Sequence, residues 1–216
     1  MPPLANLFAW WDANPDFVNV NDLGLVSQWN DRSGNARHMK QPTGSKKPQW
    51  KANLSGSPTR AGIKGDGLDD HLESIFNLDP PCSFYAVGRS LETSGARGMI
   101  SDKSSAREIV TDSGTSSNLK LLGTNSVIAP TLNSWFIMGW ATAPGFTRSK
   151  LDSEAVGDVA SGSSAPLGGL MLFTRGTAPT YAFYGDILEV LLYNVQHTAE
   201  EMAAVHSALN ARNGVY

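Results

Sequence analysis

The sequence has little charge, one cysteine and no cluster of basic residues. Charged residues make up 17% of the 216 positions, the formal net charge is −3, and Cys82 is the single cysteine. Because binding to a phosphate backbone depends on clustered cations, we expect no nucleic-acid partner. One cysteine excludes an internal disulfide and a thiolate metal cluster, and Cys82 in PCSFYAVG is predicted to be a small buried residue.

The sequence also lacks a long apolar run. Its first residues, MPPLANLFAWWDANPDF, contain neither the basic segment nor the apolar stretch of a signal peptide, and no segment is long enough to cross a bilayer. We therefore expect no membrane insertion and synthesis in the cytosol. A protein that is made in the cytosol but acts outside the cell, in a virion or at an extracellular surface, would have the same properties.

Short apolar runs recur along the whole chain. They include LFAWW (7–11), CSFYAVG (82–88), SWFIMGW (134–140) and ILEVLLY (187–193), and turn-forming segments such as GDGLDD and SGSSAPLGG lie between them. Many short strands with regular breaks, 21 glycines and 12 prolines are typical of an all-β sandwich or barrel. No change of composition marks a boundary, so we expect one domain over residues 1–216.

One segment near the C-terminus, TAEEMAAVHSALNARNG, predicts an α-helix. Thr198 and Glu201 have the spacing of a capping box, and Gly214 is typical of a helix end. We expect this amphipathic helix to close one edge or end of the sandwich, with His206 packed at the margin of its apolar stripe. That stripe consists of Met202, Val205 and Leu209.

The runs SWFIMGW and ILEVLLY are apolar on both faces of their strands. In the first, Trp135 and Ile137 are predicted to face one side, and Phe136, Met138 and Trp140 the other. A strand with one buried face alternates with polar residues, so both strands are expected to be central. A loop, a ligand groove or another subunit is expected to cover the second face, and we expect contact with a further copy of the chain or with other virion proteins.

Several motifs occur in a fixed order, among them W-x-D-x-S-G at 29–34, D-G-x-D-D at 66–70 and GDILEVLLYN at 185–194. In their order and spacing, residues 7–216 resemble the concanavalin A-like, laminin G-like jelly-roll domains of bacterial secreted proteins and phage structural proteins. The resemblance implies an all-β, two-sheet antiparallel jelly-roll sandwich with one C-terminal α-helix. Such domains most often bind carbohydrate or protein, and some hold a calcium ion near the rim.

The D-G-L-D-D segment is the candidate for that calcium site. Asp66, Asp69 and Asp70 place three carboxylates within five residues, and calcium takes roughly six to eight oxygen ligands. The alternative is a turn in which the aspartates accept hydrogen bonds from their own backbone. Leu188 stands where the family commonly carries an acid before Glu189, and this departure weakens the calcium prediction.

Four aromatic residues lie nearest to polar loop segments and are the candidates for contact with a sugar. Each has packing in the core or at the rim as its alternative role. The earlier tryptophans Trp10, Trp11 and Trp29 are predicted to lie in the core. The four candidates are Trp50, Trp140, Tyr181 and Tyr184.

Candidate catalytic pairs are few. Asp152 and Glu154 would share a face about 7 Å apart if their segment were a strand, as a glycosidase requires, but the segment is predicted to end a hairpin. Asp186 and Glu189 have opposite strand parity and are predicted to face opposite sides. The sequence contains no G-x-S-x-G, H-E-x-x-H, phosphate-loop or dinucleotide motif, so we expect no enzyme.

These observations favour a non-enzymatic, lectin-like virion component, such as a phage decoration, fibre or spike protein. The alternatives are a polysaccharide hydrolase or lyase on the same fold and a capsid decoration protein without sugar affinity. In WNDRSGNARHMKQ (29–41), Trp29 is predicted to enter the core and Asp31 to cap the following turn. Arg37, His38 and Lys40 are predicted to lie on the exposed side of the next strand.

Overall fold

The computed structural model describes residues 1–54, 60–92, 97–103, 130–160, 162, 164–174 and 182–216, and the backbone of strands at 108–111, 119–121 and 127–128. These residues form two antiparallel β-sheets packed face to face and one α-helix C-terminal to them. The predicted two-sheet jelly-roll sandwich with a C-terminal helix is thereby confirmed. No helix of the described residues combines the length and the apolarity needed to cross a bilayer.

The helices and strands follow one another closely along the chain. In chain order the strands and the α-helix are β1 Leu7–Asp12, β2 Val18–Val20, β3 Val26–Trp29, β4 Met39–Lys40, β5 Gln49–Lys51, β6 Gly62–Asp66, β7 Leu72–Ser74, β8 Cys82–Ser90, β9 Gly98–Asp102, β10 Glu108–Thr111, β11 Leu119–Leu121, β12 Val127–Ile128, β13 Phe136–Ala143, β14 Phe146–Leu151, β15 Gly157–Val159, β16 Leu170–Leu172, β17 Tyr184–Tyr193 and α1 Ala199–Asn213. Two short 3₁₀ helices span Pro15–Phe17 and Gly44–Lys46.

The strands divide between two sheets. Sheet A has the order β15-β14-β13-β8-β17-β6-β5, and β1 also pairs with β17. Sheet B has the order β12-β11-β10-β9-β16-β7-β4-β3-β2. β17 lies at the centre of sheet A, because β8 occupies one of its edges while β6 and β1 share the other.

The main core lies between the two sheets. It combines residues of sheet A, such as Phe136 and Val190, with residues of sheet B, such as Met39 and Leu172, all of them buried. Trp11 and Trp29 are fully buried in it, as predicted, and so is Cys82. The alternating faces predicted for SWFIMGW are also confirmed, since Phe136, Met138 and Trp140 point into this core and Trp135 and Ile137 do not.

A second apolar layer lies between the outer face of sheet A and α1. Met202, Val205 and Leu209 of the helix pack there with Ile137 of β13 and Leu191 of β17. The expectation that the helix closes an edge or end of the sandwich was therefore wrong, because the helix covers a sheet face. It also replaces the loop, groove or subunit that we expected over the second face of β13 and β17.

The predicted ends of α1 are confirmed in detail. The Glu201 N–H donates to Thr198 Oγ1 at 3.3 Å, and the Thr198 N–H donates to Glu201 Oε2 at 2.8 Å. Gly214 follows the helix with φ of +61°, a left-handed conformation that glycine adopts without steric cost.

β17 contains a β-bulge between Ile187 and Glu189, and the bulge breaks the simple alternation of faces. Asp186 accepts a hydrogen bond from Arg89, whose guanidinium lies over a tryptophan of the second apolar layer. Glu189 accepts a hydrogen bond from the indole of Trp10 in the same layer. The prediction that Asp186 and Glu189 face opposite sides was wrong, because both carboxylates lie on the outer face of sheet A.

Candidate functional site

A groove opens at the end of sheet A where β6 stops and β17 starts. Its volume is about 430 Å³, and we call it the end groove. Tyr184 and Asp66 are directly paired across the two strands, and the Leu91 N–H donates to the Tyr184 carbonyl, which brings the segment after β8 to the same place. The residues lining the end groove are Asp66, Gly67, Leu68, Leu91, Glu92, Arg97 and Tyr184.

The D-G-L-D-D segment forms one wall of the end groove as a self-bonded turn. The Leu68 N–H donates to Asp66 Oδ1 at 2.8 Å, and the Asp66 N–H donates to Asp70 Oδ2 at 3.1 Å. Gly67 has φ of +77°, and a Cβ at this position would lie 2.9 Å from the Cβ of Tyr184. The glycine therefore allows both the turn and its close approach to β17. The predicted aspartate-capped turn is confirmed.

The same turn concentrates negative charge. Carboxylate oxygens of Asp66, Asp69 and Asp70 all lie within 4.8 Å of one another. Burial, together with the charges of Asp66 and Asp69, raises the pKa of Asp70 to about 7. Oxygen donors at this spacing suit a hard cation, yet two of the carboxylates already accept backbone N–H groups. Calcium at these residues stays a prediction.

Tyr184 supplies the aromatic surface of the end groove. Its ring is half-buried, and the ammonium of Lys64 lies 4.9 Å from the ring centroid. Beyond it, Arg97 and Glu92 form an ion pair at 3.5 Å, with about a quarter of each side chain exposed. The end groove thus combines an aromatic ring, apolar contact from Leu91, and hydrogen-bonding groups of both charge signs.

Of the other candidates for sugar contact, Trp50 and Trp140 do not line the end groove. Trp140 is fully buried between the sheets and stacks on Phe84 with a centroid distance of 5.5 Å, so its assignment to a ligand surface was wrong. Trp50 is partly buried against the core and donates its indole N–H to the Ala13 carbonyl at 2.8 Å. Tyr181 lies outside the described residues.

The acidic pair considered for hydrolysis lies in a turn. Asp152 follows β14 with φ of +44°, and its carboxylate accepts the Ile137 N–H at 2.7 Å. The Glu154 N–H donates to the Leu151 carbonyl, which closes the turn. The strand spacing that would aim both carboxylates at one cleft is therefore absent at residues 151–154, and the predicted end of a hairpin is confirmed.

Sequence reasoning did not find Glu92 and Arg97 of the end groove. The segment after β8 carries no motif, and its place beside Tyr184 follows from the long-range pairing of β8 with β17. Asp66 and Tyr184 were predicted separately, as a calcium ligand and a sugar contact. The register of β6 against β17 puts them side by side.

The fold is one that structures of carbohydrate-active enzymes contain. No family model matches the sequence, and no curated protein matches it. At 11–13% identity, the similarities to solved structures concern the fold alone.

Three of these structures illustrate the similarity. An arabinofuranosidase complexed with arabinofuranosyl-α-1,2-xylobiose aligns with a TM-score of 0.68 and 12% identity, over 88% of this chain and 51% of that chain. An α-L-arabinofuranosidase soaked with 4-nitrophenyl α-L-arabinofuranoside gives 0.64 and 13%, over 88% and 51%. Trypanosoma rangeli sialidase in complex with sialic acid gives 0.63 and 11%, over 96% and 34%. This chain therefore spans about half or a third of those proteins.

Proposed function

We propose that this chain is a non-enzymatic carbohydrate-binding domain whose ligand lies in the end groove against Tyr184. The observation that carries the proposal is the half-buried Tyr184 ring beside Asp66 and the Glu92–Arg97 ion pair in one groove. Sugars present apolar C–H faces and many hydroxyls, so an aromatic surface flanked by hydrogen-bonding side chains recognises them well. The volume of about 430 Å³ lies in the range of small-molecule sites.

The position of the end groove supports this role. It lies on the outer face of sheet A beyond the part that α1 covers, because Asp66, Tyr184 and Asp186 alternate with residues that point into the core. The paired strands β6 and β17 therefore hold Asp66 and Tyr184 side by side. Binding to such a prearranged surface loses little entropy in ordering the protein.

The experiment is a glycan array followed by calorimetry on the glycans that bind. Tyr184→Ala is expected to weaken binding by about tenfold, since truncation of a central aromatic contact costs more than 1 kcal/mol. Tyr216→Ala is the matched control, because Tyr216 is exposed and follows α1, outside the end groove. Titrations in calcium and in a chelator report separately on the predicted ion at Asp66, Asp69 and Asp70.

Two results would contradict the proposal. One is that no glycan binds the wild type, which would favour a structural decoration protein without sugar affinity. The other is that Tyr184→Ala and Tyr216→Ala bind equally well. Release of reducing ends or unsaturated sugars from a polysaccharide panel would favour the enzyme instead.

We also propose that this domain is a component of a phage particle. It rests on the sequence resemblance to phage and bacterial jelly-roll domains. The corresponding experiment is mass spectrometry of purified particles from a strain that carries the gene. Absence of the chain from every particle preparation would remove the virion role and leave carbohydrate binding untouched.

A further inference from the structure

A second groove lies at the strands β4 and β7 of sheet B, away from the end groove. Its volume is about 270 Å³, and Arg37, His38, Lys40, Glu73 and Ile75 line it together with Ala36 and Ser74. We call it the basic groove. Four of its residues belong to the ARHMK segment (36–40), and three of these, Arg37, His38 and Lys40, are predicted from the sequence only to be exposed.

The guanidinium of Arg37 is fixed in place at this groove. Its central carbon lies 3.5 Å from the centroid of the Phe8 ring, and Nη1 donates to the Phe8 carbonyl at 2.8 Å. Stacking and hydrogen bonding together orient the planar guanidinium before any ligand arrives. Among the described residues its guanidinium forms no ion pair, although the Asp31 carboxylate accepts the backbone N–H of Arg37 at 2.9 Å.

The tautomer of His38 is fixed as well. The backbone N–H of Asp31 donates to His38 Nδ1 at 3.0 Å. Because a backbone N–H can only donate, Nδ1 must accept, and the neutral ring carries its proton on Nε2. Within the described part of the chain that Nε2–H has no acceptor, so His38 offers a hydrogen bond at the groove.

Positive charge exceeds negative charge here, although the whole chain has a net charge of −3. Lys40 is paired across the strands with Glu73, but Glu73 forms its ion pair with Lys103 at 3.0 Å. Arg37 and Lys40 thus line the groove as cations, while Glu73, the one carboxylate among its described lining residues, is already paired with Lys103. Such a site attracts an anion, and a guanidinium suits the geometry of an oxyanion.

We propose that the basic groove is a second saccharide site, which selects a sugar residue carrying an oxyanion such as a uronate carboxylate or a sulfate. The oxyanion meets Arg37, Lys40 and the Nε2–H of His38. Ile75, which is 72% exposed at the groove, provides apolar contact for the ring. That a sugar carries the oxyanion rests on the proposed function, whereas the preference for an anion rests on this groove alone.

The test is an NMR titration of the full chain with glucuronate, glucose 6-sulfate, glucose and inorganic sulfate. The two acidic sugars are expected to shift the His38 ring ¹⁵N signals and the amides of residues 38–40 and 73–75, and to bind about tenfold more tightly than glucose. Raising the salt concentration should weaken this binding, because partly exposed charges are screened.

Lys40→Gln is the decisive variant, and Lys51→Gln is its control. Lys40 is exposed, so its replacement leaves the core intact, and Lys51 has the same charge on β5 of the other sheet. We expect Lys40→Gln to weaken glucuronate binding about fivefold and Lys51→Gln to leave it unchanged. Equal affinity for glucose and glucuronate, or equal behaviour of the two variants, would overturn the proposal.

The remaining outcomes separate the two grooves. Inorganic sulfate that binds as tightly as glucose 6-sulfate would reduce the basic groove to a bare anion site and overturn its assignment to a sugar. Tyr184→Ala should leave glucuronate binding at the basic groove intact. Glucuronate binding that persists while no glycan binds at Tyr184 would reject the proposed function and support the second site.

Discussion

His206 is a buried polar residue between α1 and sheet A. Its Nδ1 lies 3.2 Å from the Asp152 carbonyl, and its ring packs edge-on against Tyr85. Gly139 makes room for it, since a Cβ there would lie 2.9 Å from His206 Nε2. Nε2 has no partner among the described residues. The sequence prediction of a packing histidine agrees with this environment.

Acid should destabilise the fold through His206. Burial lowers its pKa from 6.5 to about 3, and the Lys150 ammonium acts in the same direction. Below pH 6.5 His206 is therefore protonated in the unfolded chain but stays neutral in the folded chain. The free energy of unfolding falls as the pH decreases. Between pH 7 and pH 5 we expect this residue to contribute a loss of about 2 kcal/mol.

The measurement is urea unfolding of wild type and His206→Leu at several pH values between 7 and 5. The difference between the two slopes isolates His206 from the other titrating groups. Burial lowers the pKa of His197 too, so some acid dependence should remain in the variant. Identical slopes in both proteins would show that His206 does not titrate on unfolding.

In the turn at residues 31–35, Asp31 accepts both hydrogen bonds that the sequence predicts and one that it does not. Asp31 accepts the N–H groups of Ser33 and Arg37, both close in sequence, and the sequence predicted such a capped turn. Asp31 also accepts the Trp10 N–H, 21 positions away. Contacts of the first kind follow from local spacing, and those of the second kind depend on strand pairing that no motif encodes.

At the scale of elements, α1 is held by its cap as well as by its apolar stripe. Thr198→Ala removes the acceptor for the Glu201 N–H and should lower the free energy of unfolding by about 1 kcal/mol. Ser207→Ala, on the exposed side of the same helix, is the control and should change it by less than about 0.5 kcal/mol. Urea unfolding of the two variants is the measurement. Equal stability would mean that the Thr198 cap does not contribute to the free energy of unfolding.

The elements themselves were more predictable than their arrangement. Apolar alternation gave the faces of β13 correctly, because its side chains follow the pleat without interruption. In β17 the same reasoning failed beyond Ile187, because a bulge adds one residue and no local signal marks it. The apolar outer face was also recognised, but its cover by α1 depended on how the helix packs in three dimensions.

At the scale of the whole molecule, one buried carboxylate joins four distant segments. Asp12 at the end of β1 accepts Nη1 of Arg32 and Nη2 of Arg212, each at 2.6 Å, and Arg60 lies 3.5 Å away. Glu189 of β17 adds a second carboxylate 3.4 Å from Arg212. This charge network connects β1, the turn after β3, the segment before β6 and the end of α1.

Loss of Asp12 should therefore destabilise the molecule as a unit. Asp12→Ala removes the shared carboxylate from three partly buried guanidinium groups, of which only Arg212 keeps another carboxylate, Glu189. This should cost about 3–5 kcal/mol, the usual effect of breaking a buried ion pair. Asp16→Ala, an exposed aspartate four positions along, should cost less than about 0.5 kcal/mol. Thermal and urea unfolding of both variants are the measurements, and similar stabilities would show that solvent already satisfies the arginines.

The pairing of β1 with β17 has a consequence for synthesis on the ribosome. Trp10 and Glu189, which bond to each other, are 179 positions apart. At roughly 5–20 residues per second, the first strand waits on the order of 10–40 seconds before its partner is made. During that interval the edge of β1 is open and its tryptophans have no core to enter. The nascent chain is thus most exposed to wrong partners at its beginning, and a slow codon anywhere between β1 and β17 would prolong that exposure.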